Sequence, residues 1–258
     1  MTQYVRPKKH LGQHFLTDRN IASKIVDSLP EKNNILEIGP GKGILTDYLL
    51  QIPNVNYKCI EIDPESVNYL IENSVADDEM IIQGDFLKTD ISGLFDGSFS
   101  IIGNFPYNIS SQILFRVLEN RYCVDHLVGM FQKEVAERIV SLSGSRVYGI
   151  MSVLLQSYYD VEILFSVGEG VFHPPPKVKS SVLRMKRKPA ELLPQLEYDY
   201  LKKLVKTAFS QRRKMLRNTL APYGIGKIQQ ADQWMTKRPE QLSVSDFHLL
   251  AGILQEKK

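Results

Sequence analysis

The sequence predicts an α/β protein: a doubly wound sheet of parallel order, followed by a small all-helical domain. Three observations lead there. Short apolar runs of strand character alternate with helix-like segments through the first half of the chain. A glycine-rich turn, Gly39-Pro40-Gly41-Lys42-Gly43, joins the first of these runs to its helix. Beyond Lys188 the strand pattern stops: Pro189 and Pro194 bracket a polar stretch, and helical segments follow. Such alternation puts helices on both faces of the sheet, and ligands then bind beyond the carboxyl ends of the strands.

Residues 33–39 read as a buried strand, because Ile35, Leu36 and Ile38 run directly into the glycine turn. A helix over 44–50 ends before Pro53, and a second strand over 57–62 is closed by Asp63-Pro64. The segment 65–73 is helical, and 80–82 and 99–102 are further strands. A helix over 110–119 and a strand over 124–130 complete the alternating part. In the tail, 198–209, 212–220, 228–235 and 245–254 read as helices, and Ser243 or Ser245 suits the cap of the last one. The expected division is therefore 1–188 for the α/β domain, with a basic amino-terminal arm, and 189–258 for the helical domain.

Composition limits the function classes. With 43% hydrophobic and 24% charged residues the chain is an ordinary globular protein. Its apolar runs are too short to span a membrane, and the polar amino terminus lacks the apolar core of a signal peptide, so the expected compartment is the cytoplasm. Cys59 and Cys123 have no metal-ligand spacing and read as reduced, buried thiols, so no metal is expected. Net charge is only +3, yet the signs are segregated. Arg6, Lys8, Lys9 and His10 form the basic arm, acids gather from Asp77 to Asp96, and bases return from Lys177 to Lys188 and from Lys202 to Arg217. Segregation of this kind suits a polyanionic partner.

Two motifs carry chemistry. The turn at 39–43 lets the backbone approach a ligand closely and opens a helix whose first N–H groups are free. Its glycines do not fit the dinucleotide pattern, and Lys42 is followed by glycine rather than the Ser or Thr of a phosphate-binding loop. Glu61, at the end of the second strand, suits the two hydroxyls of a ribose, since a carboxylate accepts both. Asp85, after the third strand, suits the amino group of an adenine. A glycine turn without a phosphate grip, followed by two spaced acids, points to S-adenosylmethionine. The second motif is Asn104-Phe105-Pro106-Tyr107, at the end of the fourth strand. Pro106 fixes its own φ and biases Phe105 to an extended conformation. The Asn104 amide oxygen and a carbonyl exposed by the turn can each accept one hydrogen of an adenine amine, and Tyr107 offers a ring for stacking.

These motifs, with several others, resemble the rRNA adenine N6-dimethyltransferases, and within them the branch acting on small-subunit (16S) rRNA. The likeness runs nearly from end to end: Leu11-Gly12-Gln13-His14-Phe15-Leu16, the loop at 37–43, Glu61-Ile62-Asp63, Gly84-Asp85, Asn104 to Tyr107, Phe131 to Arg138, Phe172-His173-Pro174-Pro175-Pro176-Lys177, Gln211-Arg212-Arg213-Lys214 and Arg238 to Ser243. It implies a Rossmann-like methyltransferase sheet with a cofactor site lined by His14, Leu16, Gly39, Gly41, Glu61, Asp85 and Asn104. His14 departs from the family, which often has Asn there. The resemblance further implies that Phe172 stacks on the adenine opposite Tyr107. It implies two methylations on each of two adjacent adenosines in the 3′-terminal hairpin of 16S rRNA, on an immature small subunit, by a monomeric enzyme that yields S-adenosylhomocysteine. Arg212, Arg213, Lys214 and Arg217, clustered at a helix start, are expected to hold RNA phosphates. Two alternatives share the core: a macrolide-resistance methyltransferase of large-subunit rRNA, and a ribosome-assembly factor that keeps the fold without catalysis. The run Pro174-Pro175-Pro176 and Gln211 to Lys214 favour the small-subunit enzyme over the first. Intact Glu61, Asp85 and Asn104 to Tyr107 argue against the second.

Overall fold

The computed structural model describes residues 5–256. By its own packing the chain divides into two compact units. Among the described residues, one comprises 5–136 together with Glu162–Arg187; the other comprises Glu137–Val161 and 188–256.

The first unit is built on a seven-stranded sheet. Its strands are β2 (Asn34–Ile38), β3 (Asn56–Glu61), β4 (Ile81–Gln83), β5 (Phe99–Asn104), β6 (Val124–Gln132), β7 (Tyr159–Val167) and β9 (Ser180–Arg187), in the order β4-β3-β2-β5-β6-β9-β7. The first five of that order pair in parallel, as expected, and the direction of strand order reverses between β2 and β5. The all-parallel expectation stops at β9, which runs antiparallel to β6, with Val128 opposite Arg184. A separate two-stranded ribbon pairs β1 (Phe15–Leu16) with β8 (Phe172–His173), Leu16 lying opposite Phe172.

Helices α1 (Arg19–Asp27), α2 (Thr46–Leu49), α3 (Pro64–Glu72) and α4 (Ser110–Glu119) accompany this sheet, and α5 (Lys133–Val140) follows β6. Local chemistry fixes their starts. Asp18 caps α1 through Oδ1, which accepts the N–H groups of Asn20 and Ile21 at 2.9 and 3.0 Å. Asp63 caps α3, with Pro64 in the first turn, where its missing N–H is no loss. Ala22, Ile25 and Val26 of α1 and Leu49 of α2 share one core cluster with Ile35, Tyr57, Cys59, Ile102 and Val128 of the sheet. Leu36 and Ile101 alternate with those strand positions, so they face the other side, and both are fully buried.

The second unit contains α6 (Ile150–Tyr158), α7 (Tyr198–Phe209), α8 (Leu216–Thr219), α9 (Asp232–Met235) and α10 (Val244–Glu256). Residues 137–161 sit inside the expected 1–188 stretch, yet they pack with the tail. Within this unit the Tyr148 ring meets Phe209 edge-on at 6.2 Å, and His248 Nε2 lies 2.8 Å from Ser157 Oγ. Helix α7 has the predicted limits. The helix expected over 212–220 is shorter, because residues 211–214 form a turn in which the Lys214 N–H donates to the Gln211 carbonyl. The segment expected over 228–235 breaks into a 3-10 turn, Gln229–Ala231, and α9. Ser243 begins α10 through a reciprocal pair: its Oγ accepts the Asp246 N–H at 3.0 Å, and Asp246 Oδ2 accepts the Ser243 N–H at 2.9 Å.

Candidate active site

A cavity of about 740 Å³, counted with its opening to solvent, lies beyond the carboxyl ends of β2, β3, β4 and β5. That is the position the reversal of strand order dictates, and the volume falls within the roughly 300–1,000 Å³ of small-molecule sites. Each strand end contributes: Gly39 and Gly41 after β2, Glu61 and Ile62 at β3, Asp85 after β4, and Asn104 to Tyr107 at β5. The amino-terminal segment from Leu11 to Phe15 supplies the remaining wall.

Gly39 and Gly41 both have positive φ, +67° and +58°, and a Cβ on Gly41 would come within 2.8 Å of the Phe15 ring. The turn therefore needs glycine at 41 for backbone conformation and for space. It also delivers the Gly41 N–H to Glu61 Oε2 at 3.0 Å, while Glu61 Oε1 accepts the Asp63 N–H at 2.8 Å. Glu61 is 3% exposed. Burial pushes its carboxyl up from the ordinary value, and the backbone donors of Asp63 and Gly41 oppose that rise. A carboxylate has about four acceptor positions, so two bound N–H groups leave room for a pair of hydroxyls. Asp85 is held by the Leu87 N–H at 3.0 Å and remains half-buried at the wall. This donor and acceptor set fits a nucleoside with a free ribose edge.

At the end of β5, Asn104 Nδ2 donates to the His14 carbonyl at 2.7 Å. A carbonyl only accepts, so the amide has one orientation and Oδ1 is left to accept from another group. Phe105 is 1% exposed, and its ring lies over Gly103 and Gly129 of adjacent strands and 5.1 Å from the Phe131 ring. Tyr107 is half-buried, its hydroxyl bonded to Ser180 Oγ. Its ring packs against the imidazole of His14, with centroids 5.7 Å apart. His14 Nδ1 donates in turn to the Pro174 carbonyl at 2.7 Å.

Of the sequence-predicted cavity residues, Leu16 and Phe172 lie off the main cavity wall. His14 lines it, with its side chain turned to Tyr107 and Pro174 and its carbonyl to Asn104. Leu16 is 5% exposed and lines a small adjoining cavity with Glu37, Gly39, Lys42 and Asn104, not the main one. Phe172, expected to stack on the adenine, is 4% exposed and packed in the core cluster with Leu16, its partner across the β1–β8 ribbon, and it does not line the main cavity. In the helical unit Arg213, Lys214 and Arg217 are exposed. Arg212 is not free: it donates to the Ser145 carbonyl at 3.2 Å and pairs with Glu240 at 3.9 Å.

Sequence reasoning missed two supports of the site. Gly103 and Gly129 make the floor on which Phe105 lies, and a lone glycine in a strand gives only a weak signal of that. Glu37, 1% exposed, accepts hydrogen bonds from Thr46 and Tyr57 at 2.7 and 2.6 Å and is pushed up to about 7, chiefly by burial. Among the described residues no group of His, Cys, Asp and Glu is arranged to hold a metal ion, and no helix is long and apolar enough to cross a membrane.

A sheet of this order with its cavity at these strand ends is that of the S-adenosylmethionine-dependent methyltransferases, which are enzymes. The particular family follows from the whole chain: the model of ribosomal RNA adenine dimethylase matches residues 5–256, and the chain belongs to that family. Among curated proteins it is 54% identical over 249 residues to "Ribosomal RNA small subunit methyltransferase A" of Flavobacterium johnsoniae, covering 95% of each chain. It is 50% identical over 258 residues to the protein of the same name from Cytophaga hutchinsonii, covering 98% of this chain and 99% of that one. Among solved structures it resembles a dimethyladenosine transferase from Plasmodium falciparum, with TM-score 0.81, 25% identity and coverage of 95% and 98%. The 23S rRNA methyltransferase ErmE shares the fold, with TM-score 0.64, 23% identity and coverage of 93% and 99%.

Proposed function

We propose that this protein dimethylates N6 of two adjacent adenosines in the 3′-terminal hairpin of 16S rRNA, on the immature small subunit, as a cytoplasmic monomer. The observation that carries the reading is the fixed Asn104 amide on the same cavity wall as buried Glu61. Glu61 takes the ribose hydroxyls, Asp85 the adenine amino group, and Gly39 and Gly41 let the backbone approach the cofactor, with Leu16 behind them. S-Adenosylmethionine supplies an electrophilic methyl group. The chain's task is alignment. Asn104 Oδ1 and the Phe105 carbonyl accept the two amine hydrogens of the extruded adenine and aim its lone pair, and Tyr107 stacks on the base with the face turned from His14. Asn104 to Tyr107 contain no strong base, so the proton leaves to water during or after transfer.

A small-subunit substrate is favoured over the large-subunit alternative by relatives 50–54% identical that carry small-subunit names. Convergence of the acids and the tetrapeptide on one cavity favours catalysis over a binding-only role. Arg213, Lys214 and Arg217 serve to hold phosphates, and Arg212 shapes the turn that presents them. The test is methylation of immature small subunits with labelled cofactor, followed by mapping of the modified nucleotides. Two adjacent dimethyladenosines near the 3′ end of 16S rRNA are expected. Label in large-subunit RNA, or in neither, overturns the reading.

A further inference from the structure

The wall formed by Leu11 to Gln13 is held by polar contacts. None of residues 8–13 is fully buried, so apolar packing does little to fasten them, whereas His14 packs against the Tyr107 ring. The segment is anchored beyond by buried Phe15 and Leu16 in β1. Between lies a polar latch. Lys8 Nζ pairs with Asp63 Oδ1 and stands 3.2 Å from Glu65, and Gln13 Nε2 donates to Asp63 Oδ2 at 3.1 Å. The Gln13 side-chain oxygen accepts the Lys8 N–H at 2.8 Å, closing a ring of hydrogen bonds. The Asp63 side chain has no exposed surface. Burial alone would raise its carboxyl, and the hydrogen bonds from Lys8, Gln13 and the Glu65 N–H, with the Lys8 charge, together outweigh that and hold it below its ordinary value. The same residue gives its N–H to Glu61, the acid assigned to the ribose. One buried carboxylate therefore joins the segment that walls the cavity to the side chain that grips its contents.

We propose that Lys8, Gln13 and Asp63 are positioning residues for the cofactor side of the site: they hold Leu11 to Gln13 closed over the bound nucleoside and set its rate of exchange. This rests on reading the cavity as the cofactor site. Opening Leu11 to Gln13 costs mainly polar interactions that water can replace, whereas Val5 before the latch, His14 against Tyr107 and Asn104, and Phe15 and Leu16 beyond it stay packed. The segment thus swings without unfolding the core. Breaking the latch speeds both entry and departure and leaves the recognition groups in place.

The experiment preloads the full-length protein with radiolabelled S-adenosylmethionine, chases with excess unlabelled cofactor, and follows retained label by rapid filtration. Lys8→Met should raise the dissociation rate roughly tenfold or more, as loss of hydrogen bonds to a charged group does. Lys8→Arg, which keeps the charge, should stay closer to wild type than Lys8→Met does. Because Lys8→Met leaves a buried charge unpaired, Lys8→Met/Asp63→Asn is the second variant, and it should exchange fast as well. Glu162→Gln, which breaks the remote Arg184–Glu162 pair at 2.8 Å, should exchange like wild type. An unchanged rate in either latch variant, or equal acceleration in Glu162→Gln, overturns the proposal. A wild-type protein that does not bind S-adenosylmethionine in calorimetry overturns the cofactor reading itself, which separates the two failures.

Discussion

The amide nitrogen of Asn104 donates to the carbonyl oxygen of His14 at 2.7 Å. Through this bond a residue near the amino terminus dictates which side of the Asn104 amide is left to accept from a substrate. The backbone of residue 14 makes it, so the bond does not depend on which side chain stands there.

Asn104→Ala should lower the single-turnover methylation rate on the order of a hundredfold, the scale expected when an aligned reactant is misplaced. Asn104→Asp should do the same, since a carboxylate cannot donate to the His14 carbonyl. Cofactor affinity by calorimetry should hold in the alanine variant. A wild-type rate with saturating RNA would remove Asn104 from the orienting role.

Glu61→Ala should weaken cofactor binding by roughly tenfold to a hundredfold, the cost of losing hydrogen bonds to a charged group. RNA affinity should stay at its wild-type value. The change also strips the Gly41 and Asp63 N–H groups of their acceptor, so Glu61→Gln is the milder companion. An unchanged dissociation constant for the cofactor in both variants would contradict the assignment.

Gly129→Ala places a Cβ 2.2 Å from the Phe105 ring and 2.9 Å from the Gly103 carbonyl. Phe105 must move, and its carbonyl with it. We expect a loss of about 1–3 kcal/mol in stability, as for other overpacked cores, together with a lower turnover. Phe105→Leu in the same chain relieves the clash with the ring and leaves the approach to the Gly103 carbonyl. It should recover part of the lost stability in urea denaturation but not full activity, and no recovery at all would show that the strain does not lie at the ring.

Glu37 gives the fold a pH dependence of definite sign. Its carboxyl is raised from 4.5 to about 7 in the folded protein, so the folded state holds more protons between those values. Stability from this group is present in full below about pH 4.5 and is lost as pH rises through 7. The loss is on the order of 3 kcal/mol, at roughly 1.4 kcal/mol per tenfold change. Glu37→Gln, neutral at every pH, should gain stability over wild type between pH 5 and pH 8. Parallel urea midpoints for the two proteins across that range would refute this.

Much of this was legible in the sequence, for identifiable reasons. Parallel strands buried on both faces give near-continuous apolar runs, so Ile35 to Ile38, interrupted only by Glu37, and Phe99 to Ile102, interrupted only by Ser100, stand out. Asp63-Pro64 and the glycine turn punctuate them. Strands β7 and β9 carry polar residues such as Glu162, Arg184 and Lys186 between their apolar ones, and β7 lies at the sheet edge, so neither yields such a run. The site acids and the Asn104 turn could be found because they sit at strand ends, where topology assembles a site. Residues that act through a backbone group or a shared carboxylate, such as His14, Lys8 and Asp63, bring together positions far apart in sequence, and no local pattern signals that. The burial of Phe172 was not legible, because an aromatic before a proline run looks the same whether it faces a ligand or a core.

Arg213, Lys214 and Arg217 remain exposed beside the turn at 211–214, and their expected role is to hold RNA phosphates without reading sequence. Removing each phosphate-neutralising side chain should reduce the slope of log affinity against log salt by about 0.7 to 0.9. The triple alanine variant should therefore bind immature small subunits more weakly, with a shallower salt dependence and unchanged cofactor affinity. Arg212→Ala should behave differently. Its guanidinium supports the turn through Ser145 and Glu240, so removal should lower the melting temperature as well as RNA affinity. Filter binding across a salt series, with a thermal melt of each variant, separates the two roles. A wild-type slope in the triple variant would rule out phosphate binding at these positions, and an unchanged melting temperature in Arg212→Ala would return that residue to the RNA surface.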